Sequence, residues 1–540
     1  MEELRAQARM LAEKFIREES DYFLGGIDAE QSNPKTRTLS ETIKENTENG
    51  VRMLQSVDQD LIPLYRSALE SKEFDRLCAS IFKALTDGGR IILSGCGSSG
   101  RLCMSIEKAF RRAVSEHDLG EFADRVITVM TGGDYALIRA VENLEDYESL
   151  SRKQIEDLEV CEKDLLIGVT ATGETTSIVG TAIEAAERGA DVYMVVCSDV
   201  QKMIGKIDRI DRLYSKENVR VIYLRCGAFA IAGSSRMQSS TIEQMVIMSA
   251  FESVLCRFLG IDFSKEKLCA YFEKTMDVLT APSTVRMMAD YIEKETAIYQ
   301  KNGYVTYFSK NYILDLITDT TERGPTFSTP PFRPRGQADQ PLSPSFVKNP
   351  TMETRDAWRD CFGREMRCLH WDDSVYRSAG ITKKMPDISE ERLLDFSIGC
   401  EAEPEREEKY SAAVWIDEVP PIEEFMKCAS PYTEKFSLVF NLGGCGTFMN
   451  IFKRIGMKMA INVISTATMA LFGRIDGNYM TYLNISNKKL VDRGARIIAD
   501  LCGVSYKDAL TEQYFYSLLP NGGSDRSATQ EAIRHFGKKV

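Results

Sequence analysis

The chain has 540 residues, of which 43% are hydrophobic and 27% are charged, as expected for a folded protein with more than one domain. Its formal net charge is −12 and it contains no basic block, which argues against a nucleic-acid partner. The first twenty residues are charged, and no apolar run reaches the roughly 18 residues that a membrane span needs. We therefore predict no signal peptide and no membrane association, and we expect a cytoplasmic protein.

Cysteine and histidine usage argues against metal chemistry. The fourteen cysteines form no C-x-x-C pair, so we expect reduced thiols. The only histidines are His117, His370 and His535, which are too scattered for a histidine-rich metal site and poorly supply a histidine general base. We predict no metal and no cofactor.

The first half alternates predicted helices and strands. Residues 1–45 are predicted to form an amphipathic helix and a polar stretch, and 47–85 a helical segment that Pro63 kinks or splits. Strands are predicted at 90–94, 125–130, 164–169, 191–197 and 219–224, with helices that include 102–113, 136–146 and 175–188. Such alternation predicts an α/β fold with a doubly wound parallel sheet. The loops at 95–100, 131–134 and 170–175 should then share one crevice.

The second half is predicted as a weaker copy of the same pattern. Strands are expected at 304–308, 411–416 and 437–440, and helices at 312–318 and 453–471. The Pro- and Gly-rich segment 324–350 predicts a loop or lid rather than a packed element. The tail after about residue 490 is predicted to be helical.

The loop after the first strand reads G-C-G-S-S-G-R from Gly95 to Arg101. Strand, glycine loop and helix in this order form a phosphate cradle, because loop amides and the helix N-terminus face the anion. The glycines also spell the dinucleotide fingerprint G-x-G-x-x-G. That fingerprint needs an acidic residue about 20 positions on, whereas the nearest acid after the second strand is Asp134, 34 residues past Gly100. The paired hydroxyls of Ser98 and Ser99 favour a phosphate monoester.

A second loop of the same kind spans 169–176 and reads V-T-A-T-G-E-T-T. Thr170, Thr172, Gly173 and Thr175 follow a strand and precede a helix, which is again an anion-binding arrangement. Simple N-capping of that helix by Thr175 is the alternative. Two such loops on neighbouring strands predict a shared sugar-phosphate site.

Several motifs, in order, resemble a known family. They are S-N-P-K-T-R-T-L (32–39), G-C-G-S-S-G-R-L (95–102), G-G-D-Y-A-L-I-R-A-V-E-N-L-E-D (132–146), G-V-T-A-T-G-E-T-T (168–176) and G-S-S-R-M (233–237). This order resembles the N-acetylmuramic acid 6-phosphate etherases and the related glucokinase regulatory proteins, whose sugar isomerase (SIS) domains hold phosphosugars. N-V-I-S-T-A-T-M-A-L-F-G-R-I-D-G-N-Y-M (462–480) and I-S-N-K-K-L (485–490) resemble the closing helix and strand-like segment of these relatives.

The resemblance implies a pseudo-dimer of two SIS domains. The implied organisation is an N-terminal arm at 1–45, a first SIS domain with the phosphosugar site at 46–285, a second, degenerate SIS domain at 286–490 and a short helical tail at 491–540. The second half lacks both phosphate loops, because it reads Ser309-Lys310-Asn311 after one strand and Asp417-Glu418 after another. We therefore expect one site per chain.

The resemblance also assigns residues. Gly97, Ser98, Ser99, Thr170, Thr172, Gly173 and Thr175 fall where the family holds phosphate, and Ser234, Ser235 and Arg236 match a sugar-contacting loop. Glu145 falls on the etherase base position, Glu322 matches the segment that carries the acid, and Lys458 matches a lysine near the sugar phosphate. The first half itself has Ala109 where the acid is expected, and Gln238 replaces an expected lysine.

Ordinary structural roles are the alternatives for four of these residues. Glu145 could be an exposed helix charge, Glu322 a loop acid, Lys458 part of a solvated helix face and Arg236 a structural ion-pair partner.

Three functional hypotheses remain at this point. The favoured one is a regulator or sensor of carbohydrate metabolism that binds a fructose 6-phosphate-like or N-acetylmuramic acid 6-phosphate-like ligand, with a sugar kinase as the implied partner class. The second is an etherase-type lyase or phosphosugar isomerase with Glu145 as base and Glu322 as acid. The third, from the glycine fingerprint alone, is a nicotinamide-dependent enzyme. Ala109 at the expected acid position favours binding over catalysis.

Overall fold

The computed structural model describes residues 1–141, 144–337, 339–401, 410–444, 446–483, 485, 487–519 and 526–537. The described residues include two parallel β-sheets. The first has the strand order β2-β1-β3-β4-β5, and the second has the order β7-β6-β8-β9. The strands are Ile91–Gly95 (β1), Val126–Met130 (β2), Leu165–Thr170 (β3), Asp191–Val196 (β4), Val219–Tyr223 (β5), Tyr304–Phe308 (β6), Ser345–Lys348 (β7), Ser411–Asp417 (β8) and Glu434–Val439 (β9).

Every strand pair in both sheets is parallel. The second sheet repeats the order of the first four strands of the first sheet, and within the described residues it has no counterpart of β5. The prediction of two doubly wound parallel-sheet domains is confirmed. The domain boundaries at 45, 285 and 490 stay predictions.

Helices cover both sheets and form the termini. In the first half they are Glu2–Glu18 (α1), Leu39–Glu45 (α2), Thr47–Asp58 (α3), Leu61–Glu70 (α4), Lys72–Thr86 (α5), Gly97–Glu116 (α6), Glu148–Asp157 (α7), Thr176–Glu187 (α8), Asp208–Tyr214 (α9), Gln238–Phe258 (α10) and Lys265–Thr280 (α11). In the second half they are Pro282–Gln300 (α12), Ile313–Phe327 (α13), Thr354–Phe362 (α14), Asp373–Ser378 (α15), Glu390–Leu394 (α16), Glu423–Cys428 (α17) and Ile451–Leu471 (α18). The tail holds Lys488–Cys502 (α19), Tyr506–Ser517 (α20) and Ala528–His535 (α21). No helix in the described part of the chain is long and apolar enough to span a bilayer.

The predicted helical segment 47–85 is split into three helices. Pro63 lies in the first turn of α4, where a missing N–H removes no intrahelical hydrogen bond. A second break comes at Ser71, whose hydroxyl caps α5 by accepting a hydrogen bond from the amide of Phe74 at 3.1 Å. The prediction that Pro63 divides this segment is confirmed.

The predicted helix at 136–146 is wrong for its described part, and residues 142–143 lie outside the described residues. Short 3₁₀ turns form at Asp134–Leu137 and Leu144–Asp146 instead. The carbonyl oxygens of Ala136 and Leu137 accept hydrogen bonds from the guanidinium of Arg101, at 3.1 and 2.9 Å. Arg101, which is distant in the sequence, therefore binds two carbonyl oxygens that would point along the helix axis if the helix continued.

The predicted loop at 324–350 is partly wrong, because α13 runs to Phe327 and β7 forms at Ser345–Lys348. All four residues of β7 are buried, and β7 pairs in parallel with the free edge of β6. A four-residue strand among prolines carries too little periodicity to be recognised without its neighbour.

The arm and the tail pack together into one helical unit. Ala12 and Phe15 of α1 share a buried cluster with Val491, Ala495 and Leu510 of the tail. Ion pairs join the same helices, from Arg5 Nη1 to Glu512 Oε1 at 2.5 Å and from Lys507 Nζ to Glu13 Oε1 at 2.8 Å. This unit positions the start of α19 beside the carboxyl edge of the first sheet.

Candidate functional site

The loops after β1, β2 and β3 all line one cavity of about 270 Å³. Its walls also include residues of the second half and of α19. The sequence-predicted residues among its lining are Gly97, Ser98, Ser99, Glu145, Thr170, Thr172, Thr175, Ser234, Ser235, Arg236 and Glu322. The prediction that these loops share one crevice is confirmed, since parallel strands end at the same edge of a sheet.

The glycine loop makes a tight turn from strand to helix. A Cβ placed on Gly95 would lie 2.6 Å from the backbone nitrogen of Gly100, so these two glycines let the backbone cross itself closely. Gly97 starts α6 with a φ of +55°, in the left-handed region that glycine tolerates. Ser98 and Ser99 follow at the N-terminus of α6, and the Ser98 hydroxyl lies 2.6 Å from that of Ser235.

The threonine loop brings its hydroxyls together beside α8. The Oγ1 atoms of Thr170 and Thr175 lie 3.0 Å apart, and the Gly173 amide donates to Thr170 Oγ1 at 3.3 Å. Thr175 precedes α8, but its side chain accepts no helix amide, so the N-capping alternative is not realised. Gly173 shapes the loop from behind, with a φ of +84° and with Val200 in the space a Cβ would need.

An ion pair between Arg101 and Glu322 joins the two halves across the cavity. Their side chains are only 3% and 12% exposed. Glu322 lies on α13 of the second half and thus reaches the first half's cavity, as the resemblance implies. The Arg101 guanidinium belongs to the glycine-loop motif, but sequence reasoning assigned it no role.

Arg236 forms a second buried link between the halves. Its Nη2 donates to Asp319 Oδ1 at 2.6 Å and to Ser465 Oγ at 2.8 Å. Burial opposes ionisation of Asp319, but the positive charges of Arg236 and Arg323 hold its pKa below the ordinary value. Arg236 therefore lines the cavity and also forms a structural ion pair, which is the alternative role given in the sequence analysis.

Lys489 is a functional candidate that sequence reasoning missed. From the first turn of α19 its Nζ lies 3.2 Å from Glu145 Oε1 and 3.2 Å from Glu174 Oε1. Burial of Glu174 opposes its ionisation, yet Lys489 and Arg209 hold its pKa below the ordinary value. Lys489 belongs to the motif I-S-N-K-K-L, so the sequence contained a reason to consider it as a site residue. Only the fold brings it close to Glu145.

Arg493, one turn further along α19, also lines the cavity. Its Nη2 lies 2.6 Å from Glu30 Oε1 of the N-terminal arm. A Cβ on Gly233 would lie 2.4 Å from Arg493 Nε, so this glycine makes room for the guanidinium. Arm, tail and first half therefore meet at the cavity.

Of the residues assigned from the sequence, Gly173 and Lys458 do not line the cavity. The side chain of Lys458 lies behind it. Its ammonium donates to the Arg236 carbonyl at 3.0 Å, to Thr241 Oγ1 at 2.9 Å and to Asn462 Oδ1 at 3.0 Å. Burial lowers the pKa of Lys458 to about 8. The lysine is buried, so the solvated-face alternative is wrong, and its three donors serve the protein itself.

In the second half, a carboxylate fills the loop that follows β6. Asp417, at the end of β8, accepts hydrogen bonds from the amides of Lys310 and Asn311 at 3.0 and 3.2 Å and from the Ser309 hydroxyl at 2.8 Å. The side chain of Asn311 donates to the same carboxylate at 3.0 Å. Asp417 is fully buried, so the loop after β6 carries its own internal anion.

Comparisons with known proteins agree with these features. The family model described as "Glucokinase regulatory protein N-terminal SIS domain" matches residues 73–186. An N-acetylmuramic acid 6-phosphate etherase of Petrotoga mobilis is 30% identical over 226 residues, covering 42% of this chain and 68% of that protein. The etherase of Lactococcus lactis subsp. cremoris is 28% identical over 225 residues, with the same coverage.

Among solved structures, the C-terminal domain of glucosamine-fructose-6-phosphate aminotransferase from Francisella tularensis aligns with a TM-score of 0.41 at 9% identity, covering 80% of this chain and 96% of that one. The sequence matches to the etherases, the family-model match and the repeated parallel sheets carry the assignment. The chain belongs to the SIS-domain branch that contains the N-acetylmuramic acid 6-phosphate etherases and the glucokinase regulatory proteins.

Proposed function

We propose that this protein binds a hexose or amino-sugar 6-phosphate in the cavity of about 270 Å³ and acts as a regulator or sensor of carbohydrate metabolism. The observation that carries the proposal is the set of hydroxyl groups at or next to the starts of α6 and α8, in a cavity that the second half and the tail also line. Hydroxyls beside helix N-termini suit the three terminal oxygens of a phosphate monoester.

The proposed ligand has its phosphate toward Ser98, Ser99, Thr170 and Thr175. Glu145 and Glu322 also line the cavity, and their carboxylates accept hydrogen bonds from sugar hydroxyls. Ser235 adds a hydroxyl that can donate or accept. This division matches the chemistry of a phosphosugar, which is anionic at one end and rich in hydroxyl donors elsewhere.

A regulatory role is supported by which parts of the chain form the cavity walls. Glu322 comes from α13 of the second half, and Lys489 and Arg493 come from the tail. A ligand that contacts all three parts stabilises their closed arrangement by its differential affinity for that state. We propose that this arrangement presents the surface recognised by a protein partner, with a sugar kinase as the partner class that the resemblance implies.

Etherase-type or isomerase catalysis is the second candidate, because Glu145 and Glu322 line the same cavity. Binding is favoured because both carboxylates are engaged in ion pairs, Glu322 with Arg101 and Glu145 with Lys489. A general acid must donate a proton, whereas the Glu322 carboxylate accepts a hydrogen bond from Arg101. Incubation with N-acetylmuramic acid 6-phosphate and with fructose 6-phosphate should leave both compounds unchanged. Conversion of either one contradicts the preference for binding.

The test of binding is a thermal-shift panel followed by calorimetric titration. Fructose 6-phosphate, glucosamine 6-phosphate and N-acetylmuramic acid 6-phosphate are compared with the unphosphorylated sugars and with NAD. A ligand that binds only the folded protein raises its unfolding temperature. At least one hexose phosphate should do so, while NAD and free sugars should not.

Thr170→Val tests the phosphate end of the site. It removes a hydroxyl that lies within hydrogen-bond distance of the Thr175 hydroxyl and accepts a hydrogen bond from the Gly173 amide. Loss of a hydrogen bond to a charged group weakens affinity by about tenfold or more. Thr86→Val, at the exposed end of α5, is the matched control and should bind as the wild type does. Equal affinities of wild type and Thr170→Val would refute this placement of the phosphate.

A further inference from the structure

A second cavity lies between the halves, next to the loop that follows β6. Its volume is about 370 Å³, within the range of small-molecule sites. Helix α6 lines one wall, and Lys310, Asn311 and Arg454 of the second half line another. The cavity therefore lies at the carboxyl edge of the second sheet, where open parallel sheets bind their ligands.

Cationic side chains outnumber carboxylates in the lining of this cavity. Five cationic side chains face two carboxylates, although the whole chain carries a net charge of −12. The cations are Lys108, Arg111, Arg112, Lys310 and Arg454, and the carboxylates are Glu116 and Asp360. Within the described residues, each of the lining cations except Lys310 has an ion-pair partner: Asp360 for Lys108, Glu107 and Asp124 for Arg111, Glu116 for Arg112 and Asp315 for Arg454. The lining is therefore rich in N–H donors rather than in uncompensated charge.

Buried guanidinium groups in this cavity keep unused donors. Arg454 is 5% exposed, and its Nε and Nη1 have no hydrogen-bond partner among the described residues. Its nearest carboxylate oxygen, on Asp315, lies 3.7 Å from Nη1. Arg111 Nη2 likewise has no partner in the described part of the chain. Both arginines are ion-paired, Arg454 with Asp315 and Arg111 with Glu107 and Asp124. The N–H groups without a partner are still costly to bury, so they support a site that an anion completes.

The internal carboxylate of Asp417 explains why this site differs from the first one. Asp417 occupies the amides of Lys310 and Asn311, so the loop after β6 has no free cradle for a phosphate. The remaining donors are side chains, mostly guanidinium groups. Arginine binds phosphate through paired N–H donors and needs no glycine loop.

We propose that this cavity, the α6–Arg454 cavity, is a second anion site that takes the phosphate group of a small phosphorylated molecule. It is separate from the phosphosugar cavity, since the two share no lining residue. The proposal does not depend on the function proposed above. It assigns a binding role to a half of the molecule whose own phosphate loop is filled by Asp417.

The experiment measures binding of inorganic phosphate by equilibrium dialysis on the full chain. The double variant Arg112→Gln/Lys310→Gln removes two exposed cations without touching the core. The matched control is Lys72→Gln/Arg76→Gln on α5, which makes the same charge change. In both pairs the arginine has a neighbouring glutamate on the same helix, Glu116 or Glu73.

The wild type should bind two equivalents of phosphate, and Arg112→Gln/Lys310→Gln should weaken one of them by about tenfold or more. The control pair should leave both unchanged, and Thr170→Val should weaken only the other equivalent. Arg454→Lys, which keeps the charge but loses the unpartnered donors, should weaken the same equivalent as Arg112→Gln/Lys310→Gln.

Unchanged phosphate binding by Arg112→Gln/Lys310→Gln overturns the proposal, and so does an equal loss in the control pair. Binding that persists in Thr170→Val but is lost in Arg112→Gln/Lys310→Gln supports this site even if no sugar phosphate binds in the first cavity. The two proposals can therefore fail separately.

Discussion

Gly95→Ala should disrupt the phosphate loop by steric overlap alone. The added Cβ would lie 2.6 Å from three backbone atoms, namely Gly100 N and the carbonyl carbon and oxygen of Ser99. Gly95 is a strand residue without a positive φ, so its backbone conformation suits alanine. Restoring an ordinary 3.4 Å contact moves the start of α6 by roughly 0.8 Å. Backbone atoms cannot rotate away as a flexible side chain can.

The expected destabilisation is about 1–3 kcal/mol, the usual cost of overpacking a well-filled site. For a domain of 150–250 residues this corresponds to a fall of roughly 2–12 °C in unfolding temperature. Sugar-phosphate affinity should also fall, by about tenfold or more, because the shift displaces hydrogen-bond donors that meet the phosphate.

Scanning calorimetry and titration with fructose 6-phosphate measure the two effects. Gly120→Ala is the control, since its Cβ would meet no atom within 4 Å and its φ is not positive. This change should alter stability by less than about 0.5 kcal/mol. If Gly95→Ala unfolds and binds as Gly120→Ala does, the close backbone crossing does not constrain the loop and the reasoning is refuted.

Three further predictions concern buried charges. Arg101→Met should cost about 3–5 kcal/mol in urea unfolding because it leaves Glu322 unpaired; Glu322→Gln should cost less, since its amide oxygen still accepts from Arg101, and equal costs would contradict this account. Lys489→Met should remove one of the two positive charges that lower the pKa of Glu174, the other being that of Arg209. The stability that this shift contributes is present above pH 4.5 and is lost as pH falls through the folded pKa, so the unfolding temperature of the variant should depend less on pH below 4.5. Burial raises the pKa of Asp58 from 3.8 to about 7, so the stability of the wild type falls over that interval as pH rises. Asp58→Asn should therefore gain stability relative to the wild type from pH 4 to 7. A difference in unfolding temperature between the two proteins that stays the same at every pH would contradict this prediction.

Local patterns were sufficient for the strand-loop-helix units of the first half. The apolar run before Gly95, the small hydroxyl residues after it and the helix that follows depend on neighbours in the chain. The same holds for the loop at Thr170–Thr175. The rule that parallel strands end at one edge then brings these loops together without knowledge of side-chain contacts.

Segments whose conformation depends on distant partners were predicted poorly. Ala136 and Leu137 lie in 3₁₀ structure and bond to Arg101, and β7 is a strand because β6 offers it an edge. Neither Arg101 nor β6 is close in the chain to the segment that it contacts. A periodicity analysis of a short stretch of sequence therefore cannot predict these two conformations. The amphipathic pattern of the arm likewise shows that α1 has an apolar face but not that α20 covers it.

The sequence alone determined the α/β class, the two-half organisation and the two hydroxyl-rich loops, because these follow from periodicity and from residues adjacent in the chain. Only the tertiary structure decided how the charges pair. Glu322 meets Arg101, Lys489 bridges Glu145 and Glu174, and Asp417 fills the second half's loop. These partners are brought together by the packing of two halves and a returning tail, and such long-range contacts depend on the whole chain at once.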